Sequence, residues 1–240
     1  MIPEYAAAYR NLYERHWWWR ARELLLLEEI DRHRPPPGWR RILDVGCGDG
    51  LFFDRLARFG DVWGVESDAT LVPADSRHRP RIHIGPFDAG YAPGRRFDLV
   101  LMLDVLEHLP DPAGALREAG ALLEPGGRIL ITVPAFQALW TGHDELNRHY
   151  VRYRRATLLA VAERAGLRVL SQRYFFHWLF PVKLGVRVLE RLGRRARTPA
   201  SVPPAPLNDL LVRLSRAEQV TIGRLGLPFG SSLLAWCAAS

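Results

Sequence analysis

The feature that most constrains the fold is a glycine-rich turn directly after a short apolar run. Residues 42–50 read Ile-Leu-Asp-Val-Gly-Cys-Gly-Asp-Gly, and a second apolar run, Val-Trp-Gly-Val-Glu, ends in an acid at Glu66. Glycines permit a sharp turn and let a ligand lie against bare peptide groups. Glu66 follows Asp44 by 22 residues, the spacing at which the second strand of a doubly wound sheet brings a carboxylate to ribose hydroxyls. The pattern therefore predicts a nucleoside site in an α/β protein.

The spacing of the three glycines, Gly46, Gly48 and Gly50, distinguishes between two nucleoside cofactors. A dinucleotide fingerprint reads G-x-G-x-x-G, but the sixth position of this run is Leu51. NAD therefore fits the run poorly. With Asp44 two residues ahead of the first glycine, the run resembles the D-x-G-x-G-x-G motif of class I S-adenosylmethionine-dependent methyltransferases. The resemblance implies S-adenosylmethionine as cofactor and S-adenosylhomocysteine as product.

Three further segments carry the same resemblance, which covers roughly residues 40–170. The run from Leu103 to Leu109 is similar to the D-V-L-E-H-L segment of the type-11 and type-12 branch, which methylates small molecules and lipids. Phe87-Asp88 matches the place of an acidic residue that contacts the adenine amino group, and residues 124–127 match the L-x-P-G-G turn before strand five. The cofactor-binding residues implied by the resemblance are Asp44, Gly46, Cys47, Gly48, Gly50, Glu66, Ser67, Phe87, Asp88, Asp104 and Trp18.

The order of predicted elements agrees with a Rossmann-like α/β fold of this family. Apolar runs predict strands at 41–45, 61–66, 81–84, 97–103, 128–134, 167–174 and 231–238. Helices are predicted at 4–33, 50–59, 112–123, 156–165 and 207–225. The resemblance implies one mostly parallel seven-stranded sheet in the order 3-2-1-4-5-7-6, with strand 7 antiparallel and helices on both faces.

At 240 residues, the chain has room for one such domain with small additions. We expect a single methyltransferase domain over 1–240, divided into an amino-terminal helical cap at 1–38, a cofactor-binding core at 39–174, a helical insertion at 175–230 and a last strand at 231–238.

The expected reaction needs a nucleophile aligned with the methyl group, a dry site and, for some acceptors, a base. His108, directly after strand four, is one candidate base; its alternative role is a packed histidine that shapes the pocket. The loop after strand five supplies His143 and His149, with Asp144 as a further candidate, in a run similar to the D-x-x-N-x-H-x-x-x-Y runs of relatives. Substrate contacts are expected from the same loop, at Phe136, Trp140, Asp144, Arg148 and Tyr153. Alternatively, the loop is a solvated, arginine-rich helix entry.

Three consecutive tryptophans, Trp17 to Trp19, precede Arg22 and a leucine run. Similar H-W-W-F-R-x-R openings occur in related sequences, which implies a helix over the cofactor with Trp18 or Arg22 near its carboxylate. Three large rings also bury a large apolar area against any neighbouring element. We expect docking in either case, with cofactor contact as the added hypothesis.

The charge of +7 does not by itself indicate a nucleic-acid partner, because the arginines are spread along the chain and Lys183 is its one lysine. Cys47 and Cys237 are too few and too far apart for a disulfide framework or a zinc site, and the sequence requires no metal. Glu4 and Arg10 precede any apolar run, so we expect no cleavable signal and a cytoplasmic location.

Residues 175–197 combine aromatic, aliphatic and arginine side chains. This composition fits a helical lid, which we favour, or an interfacial helix in peripheral contact with the inner face of the membrane. The sequence leaves the oligomeric state open.

Together, these features predict methyl transfer from S-adenosylmethionine to an oxygen, nitrogen or carbon of a small-molecule or lipid-linked acceptor. Two alternatives remain open: a non-catalytic nucleoside-binding partner of another enzyme, and an NAD(P)-dependent oxidoreductase, against which Leu51 and the segment from Asp104 to His108 both argue.

Overall fold

The computed structural model describes residues 10–193 and 200–240. Residues 10–15 are helical, and helix α1 (Trp17–Arg32) follows after His16, whose ring nitrogen accepts a hydrogen bond from the backbone N–H of Trp18 at 3.1 Å. The helix predicted from residue 4 is therefore divided at His16, and its residues 4–9 lie outside the described part of the chain. In the described ranges, no helix is long and apolar enough to cross a bilayer.

The strands and most of the remaining helices follow the predicted order, whereas the short helix at Gly142–Leu146 was not predicted. The strands are β1 (Arg41–Val45), β2 (Asp61–Glu66), β3 (Ile82–Ile84), β4 (Phe97–Leu103), β5 (Leu123–Pro134), β6 (Leu167–Phe175) and β7 (Ser232–Ala239). The helices after α1 are α2 (Phe53–Leu56), α3 (Pro112–Ala121), α4 (Gly142–Leu146), α5 (Arg155–Arg164), α6 (Leu179–Arg191) and α7 (Ala205–Val220).

The seven strands form one mixed sheet in the order β3-β2-β1-β4-β5-β7-β6, which confirms the predicted topology. The pairs β1·β2, β1·β4, β2·β3 and β4·β5 are parallel. Strands such as β4, with Leu99 to Met102 fully buried, read as continuous apolar runs because neither side of the strand is exposed to water.

Three elements differ in length from the prediction. Helix α7 ends at Val220 instead of at 225. Helix α2 is four residues long instead of the ten at 50–59, because Gly50 adopts a left-handed conformation (φ +81°) within a turn. Strand β5 begins at Leu123 instead of 128, and a register shift between Phe97 and Leu99 accommodates the added residues.

One compact unit of the chain comprises residues 31–133, 155–172 and 234–240. At its core, the rings of Trp39 and Trp236 stack with centroids 6.3 Å apart. The Asp98 carboxylate accepts hydrogen bonds from the backbone N–H groups of Arg40 and Arg41 at 3.1 and 2.9 Å, which aligns the start of β1 with that of β4. This unit therefore holds the first four strands in the order that brings their carboxyl ends together.

The second compact unit comprises the described parts of residues 1–30, 134–154 and 173–233. Asn208 joins α7 to the amino-terminal segment, since its side chain accepts from the backbone N–H of Trp17 and donates to the carbonyl of Arg15, both at 2.8 Å. Gln219 donates to the carbonyl of Ala21 at 3.2 Å. The predicted cap and insertion thus pack on each other.

Candidate functional site

The turn after β1 exposes backbone as the glycine pattern predicts. Gly46 and Gly48 both have positive φ angles, +74° and +56°. A Cβ at Gly46 would lie 2.9 Å from Cγ2 of Val105, so a side chain would not fit there. At Gly48, by contrast, a Cβ would meet no atom within 4 Å. Gly48 therefore presents bare backbone to open space, which is what a cradle for a ligand requires.

Glu66 fixes this turn to the next one. Its carboxylate is buried and accepts a hydrogen bond from Gly48 N and one from Asp68 N, each at 2.9 Å. Two carboxylate oxygens offer about four acceptor positions, so each oxygen keeps capacity for a further donor such as a sugar hydroxyl. The sequence placed Glu66 at the ribose; its second role, as the link between two turns, became visible only in the structure.

Cys47 contributes packing rather than nucleophilic chemistry. Burial, together with the charges of Asp44 and Glu66, raises the pKa of the Cys47 thiol well above its ordinary value. The thiol is therefore neutral, and its Sγ lies against Gly64, where a Cβ would collide with it. Gly64 was not among the predicted residues, although its place in β2 two residues before Glu66 was a signal of close approach.

Asp104 is held in an unusual backbone conformation directly after β4. Its φ is +58°, a region that aspartate tolerates better than most residues. Its backbone N–H donates to the carbonyl of Thr132 at 2.8 Å, and the Thr132 hydroxyl donates to its carboxylate at 3.3 Å. Thr132 on β5, which the sequence analysis missed, thus orients a carboxylate at the same edge of the sheet as the glycine turn.

The predicted adenine contacts lie on a loop after β3. Asp88 is exposed, and its side chain accepts from the backbone N–H of Gly90 at 2.8 Å. The half-buried ring of Phe87 lies 5.7 Å from that of Tyr91, which also contacts His83 at 5.0 Å. Burial raises the pKa of Tyr91 to about 12, so the phenol stays protonated. Tyr91 thus adds an aromatic surface that the sequence analysis had not singled out; Ser67, also predicted to bind cofactor, is exposed.

In the second unit, Asp144 is the centre of a buried polar cluster. Arg152 binds it through two bonds, Nε to Oδ1 at 2.7 Å and Nη2 to Oδ2 at 2.9 Å. His149 Nδ1 lies 2.9 Å from Oδ1, and the backbone N–H of Thr141 donates to Oδ2 at 2.9 Å. Burial alone would raise the pKa of Asp144, but the bonds from His149 and Arg152 hold it well below its ordinary value.

This cluster assigns different roles to residues that the sequence grouped together. The Asp144 side chain is completely buried and its oxygens are bonded, so it positions its neighbours rather than contacting substrate. A proton on His149 Nδ1 is directed at Asp144, which leaves Nε2 as the acceptor in the neutral ring. Arg152 is equally buried. The cluster therefore supports one imidazole as a proton acceptor.

The other predicted substrate residues are distributed around that cluster. Phe136 has a φ of +58°, and its ring stacks on Tyr174 at 4.9 Å. Tyr153 is buried, and its carbonyl accepts from the backbone N–H of Phe136 at 2.9 Å. Trp140 is half-buried, whereas Arg148 is exposed.

Two further candidate bases lie elsewhere in the chain. His143 is exposed and contacts Asn147, whose side-chain amide lies 3.3 Å from its Nε2. His108, in the other unit, is exposed in the short 3₁₀ turn Leu106–His108.

The tryptophans of α1 dock as expected. Trp17 is buried between Phe176 and Trp178, at centroid distances of 6.2 and 5.3 Å. Trp18 is half-buried, with the Arg22 guanidinium 5.5 Å from its ring centre. Contact of Trp18 with cofactor stays a prediction.

Comparisons with known proteins agree with this geometry. A family model described as a methyltransferase domain matches residues 18–172. A ubiquinone biosynthesis O-methyltransferase of Coxiella burnetii is 27% identical over 152 residues, which cover 55% of this chain and 65% of the relative. The chain therefore spans less than two thirds of the length of that relative.

Two solved structures share the fold. One is a chain of the complex between the Haloferax volcanii methyltransferase activator Trm112 and a methyltransferase, with a TM-score of 0.59, 18% identity, and coverage of 99% of this chain and 96% of that one. The other is the glycopeptide N-methyltransferase MtfA complexed with S-adenosylmethionine, with a TM-score of 0.50, 15% identity, and coverage of 90% and 93%.

Proposed function

The chain belongs to the methyltransferase domain family, and from this premise we propose that it transfers a methyl group from S-adenosylmethionine to an oxygen of a small-molecule or lipid-linked acceptor. The observation that carries the proposal is the turn after β1, in which Gly48 offers open backbone while Glu66 holds the turn in place. The name of the Coxiella burnetii relative supports oxygen as the accepting atom.

The residues of the first unit fit this cofactor. Glu66 keeps acceptor capacity for ribose hydroxyls, and the backbone at Gly48 leaves space for the amino-acid portion. Asp104, oriented by Thr132, supplies a carboxylate for an ammonium group. Phe87 and Tyr91 offer aromatic surfaces and Asp88 an acceptor for adenine. When bound, S-adenosylmethionine supplies an electrophilic methyl group and a neutral thioether leaving group.

An oxygen acceptor must lose a proton as the methyl group is transferred, and we propose His149 as the base. Asp144 accepts the Nδ1 proton of His149 and thereby fixes the tautomer in which Nε2 receives a proton. Once the ring is protonated, the same carboxylate stabilises the imidazolium. Arg152 keeps Asp144 ionised and immobile, so it acts through Asp144.

Calorimetry tests the cofactor assignment with a matched pair of variants. Gly48 and Gly166 both have positive φ angles, +56° and +74°, and at both a Cβ meets nothing within 4 Å. Gly48→Ala and Gly166→Ala should therefore lose similar stability, about 1 to 2 kcal/mol each. Only Gly48→Ala should weaken S-adenosylhomocysteine binding, by about tenfold or more. Equal affinities in the two variants would remove Gly48 from the site.

The same titration separates this proposal from an oxidoreductase, because NAD should produce no binding heat. A labelled-methyl assay against a panel of phenols and quinols then separates an enzyme from a non-catalytic binding partner. Tight S-adenosylhomocysteine binding without turnover of any acceptor would favour the partner and contradict the proposal.

Turnover measurements test the base. His149→Gln should lower kcat by about a hundredfold or more while leaving S-adenosylhomocysteine affinity unchanged. His143→Gln is the control, because His143 lies on the same loop without a carboxylate partner among the described contacts. Equal kcat values for wild type and His149→Gln would assign the base elsewhere.

A further inference from the structure

The apolar residues of helix α6 face outward, whereas those of an ordinary amphipathic surface helix face the protein core. Its apolar residues Val182, Leu184, Val188 and Leu189 are 42 to 49% exposed, and Leu192, just past its end, is 59% exposed. Within Leu179–Arg191, all of which the structure describes, only Leu179 is buried.

The charged side of α6 points inward instead. Arg187 donates a hydrogen bond to the carbonyl of Gln137 at 2.5 Å, and Glu190 accepts from the backbone N–H of Gly142 at 3.1 Å. At 100° per residue, Lys183, Arg187 and Glu190 share one stripe of the helix. The exposed aliphatic residues occupy the other side. The helix is therefore anchored by its polar stripe and presents its apolar stripe outward.

Helix α7 repeats this inversion. Its buried residues are polar, namely Asn208, Ser215, Glu218 and Gln219. The Glu218 carboxylate lies 3.1 Å from His177 Nδ1 and accepts from the backbone N–H of Trp178 at 2.7 Å. Leu207, Leu210 and Leu214 are instead 45 to 60% exposed. A second helix of the same unit thus exposes leucines while burying hydrogen-bonded polar groups.

The net charge of this segment indicates which kind of partner the exposed apolar faces of α6 and α7 bind. By sequence, residues 178–224 contain nine Lys and Arg and three Asp and Glu, a net charge of +6 out of +7 for the whole chain. Although arginines occur throughout the chain, the excess is therefore concentrated on this segment. Two copies of so basic a segment repel each other, which disfavours a dimer through this face, and nucleic acid offers no surface for leucines. An anionic bilayer provides both negative headgroups and an apolar interior.

We propose that the outward faces of α6 and α7 dock this protein on an anionic lipid surface. The leucine and valine side chains enter the acyl boundary, and the exposed arginines Arg191, Arg213 and Arg224 contact lipid phosphates. No helix among the described residues can span a membrane. Docking through this face would nevertheless bring the protein to molecules held in the bilayer. It is independent of the methyl-transfer proposal, since it rests on residues outside the glycine turn.

Vesicle flotation with the intact protein tests the proposal. Vesicles of phosphatidylcholine with 30% phosphatidylglycerol should bind the protein and float with it. Vesicles of pure phosphatidylcholine should bind at least about tenfold less protein. The variants are Leu189→Glu on α6 and Leu210→Glu on α7, each expected to weaken partitioning at least about tenfold. Leu159→Glu on α5 is the matched control, because Leu159 is similarly exposed (39%) and the charge change is the same. It should bind like wild type.

Several outcomes would overturn the proposal: no flotation of the wild type, equal flotation with both lipids, or equal loss in Leu159→Glu and both test variants. Sedimentation velocity tests whether a second copy of the chain binds this face instead. A dimer that Leu189→Glu dissociates, without vesicle binding, would assign the face to a second copy. Unchanged S-adenosylhomocysteine binding shows that a variant is folded. If the variant on one helix does not fold, the variant on the other helix tests the proposal in its place.

Discussion

Asp144→Asn is expected to destabilise the protein by about 3 to 5 kcal/mol, because it leaves the Arg152 guanidinium buried without its counter-charge. The side chains of Asp144 and Arg152 are 0% and 1% exposed, so water cannot replace the lost partner. An amide also accepts on one atom only, whereas both Asp144 oxygens now accept from Arg152. In a chain of this length each kcal/mol shifts Tm by about 2 to 4 °C, so Tm should fall by roughly 6 to 20 °C.

Differential scanning calorimetry at pH 7 measures this loss, with Asp209→Asn as the control. Asp209 also pairs with an arginine, Arg20 at 2.8 Å, but the two side chains are 55% and 41% exposed. An exposed pair contributes about 1 kcal/mol or less, so the control should be nearly silent. Adding Arg152→Met to Asp144→Asn removes the orphaned charge and should restore part of the loss. A shift in Asp144→Asn no larger than in the control, or a double variant as unstable as the sum of its parts, would refute this reasoning.

Three further predictions follow from the same contacts. Glu66→Gln should weaken S-adenosylhomocysteine binding about tenfold by calorimetry, because an amide nitrogen cannot accept a hydrogen bond and one of the two bonds from Gly48 N and Asp68 N is therefore lost; unchanged affinity would contradict it. Gly64→Ala should cost about 1 to 3 kcal/mol in urea unfolding, since the new methyl collides with Cys47, and Cys47→Ala should relieve part of that cost if the collision is the cause. The lowered pKa of Asp144 adds stability that is present above pH 3.8 and is lost as the pH falls below it. Plots of unfolding free energy against pH for wild type and Asp144→Asn should therefore converge in acid. Parallel plots would exclude the Asp144 carboxyl as the source of this pH dependence.

Sequence patterns were sufficient for the sheet because its central strands are buried on both faces. A fully buried strand such as β4 must be apolar along its whole length, and the turn after β1 requires glycine wherever φ is positive. These are local constraints that leave a direct mark on the sequence. The division of one predicted helix at His16 and the short helix α2 depend instead on turn geometry, which is less directly encoded.

The sequence identified several polar residues of the candidate site but not the contacts among them. Asp144 and His149 were both identified as candidates for chemistry from one loop. Which of them is buried depends on the turn around Thr141, whose backbone N–H bonds the Asp144 carboxylate. Tyr91 and Thr132 were missed because each acts through a neighbour, Phe87 or Asp104, rather than through a motif of its own.

The orientation of α6 and α7 shows why periodicity alone is insufficient. A helical repeat of apolar residues defines two faces but does not state which one covers the protein, and the usual assumption is that the apolar face does. In α7 the opposite holds because Asn208 and Glu218 bond backbone groups at fixed positions, Trp17 N and Trp178 N, which an aliphatic side chain cannot do. Those hydrogen bonds fix the polar face of α7 against the protein. The leucines are consequently left outward, and only a partner that supplies an apolar medium can bury them.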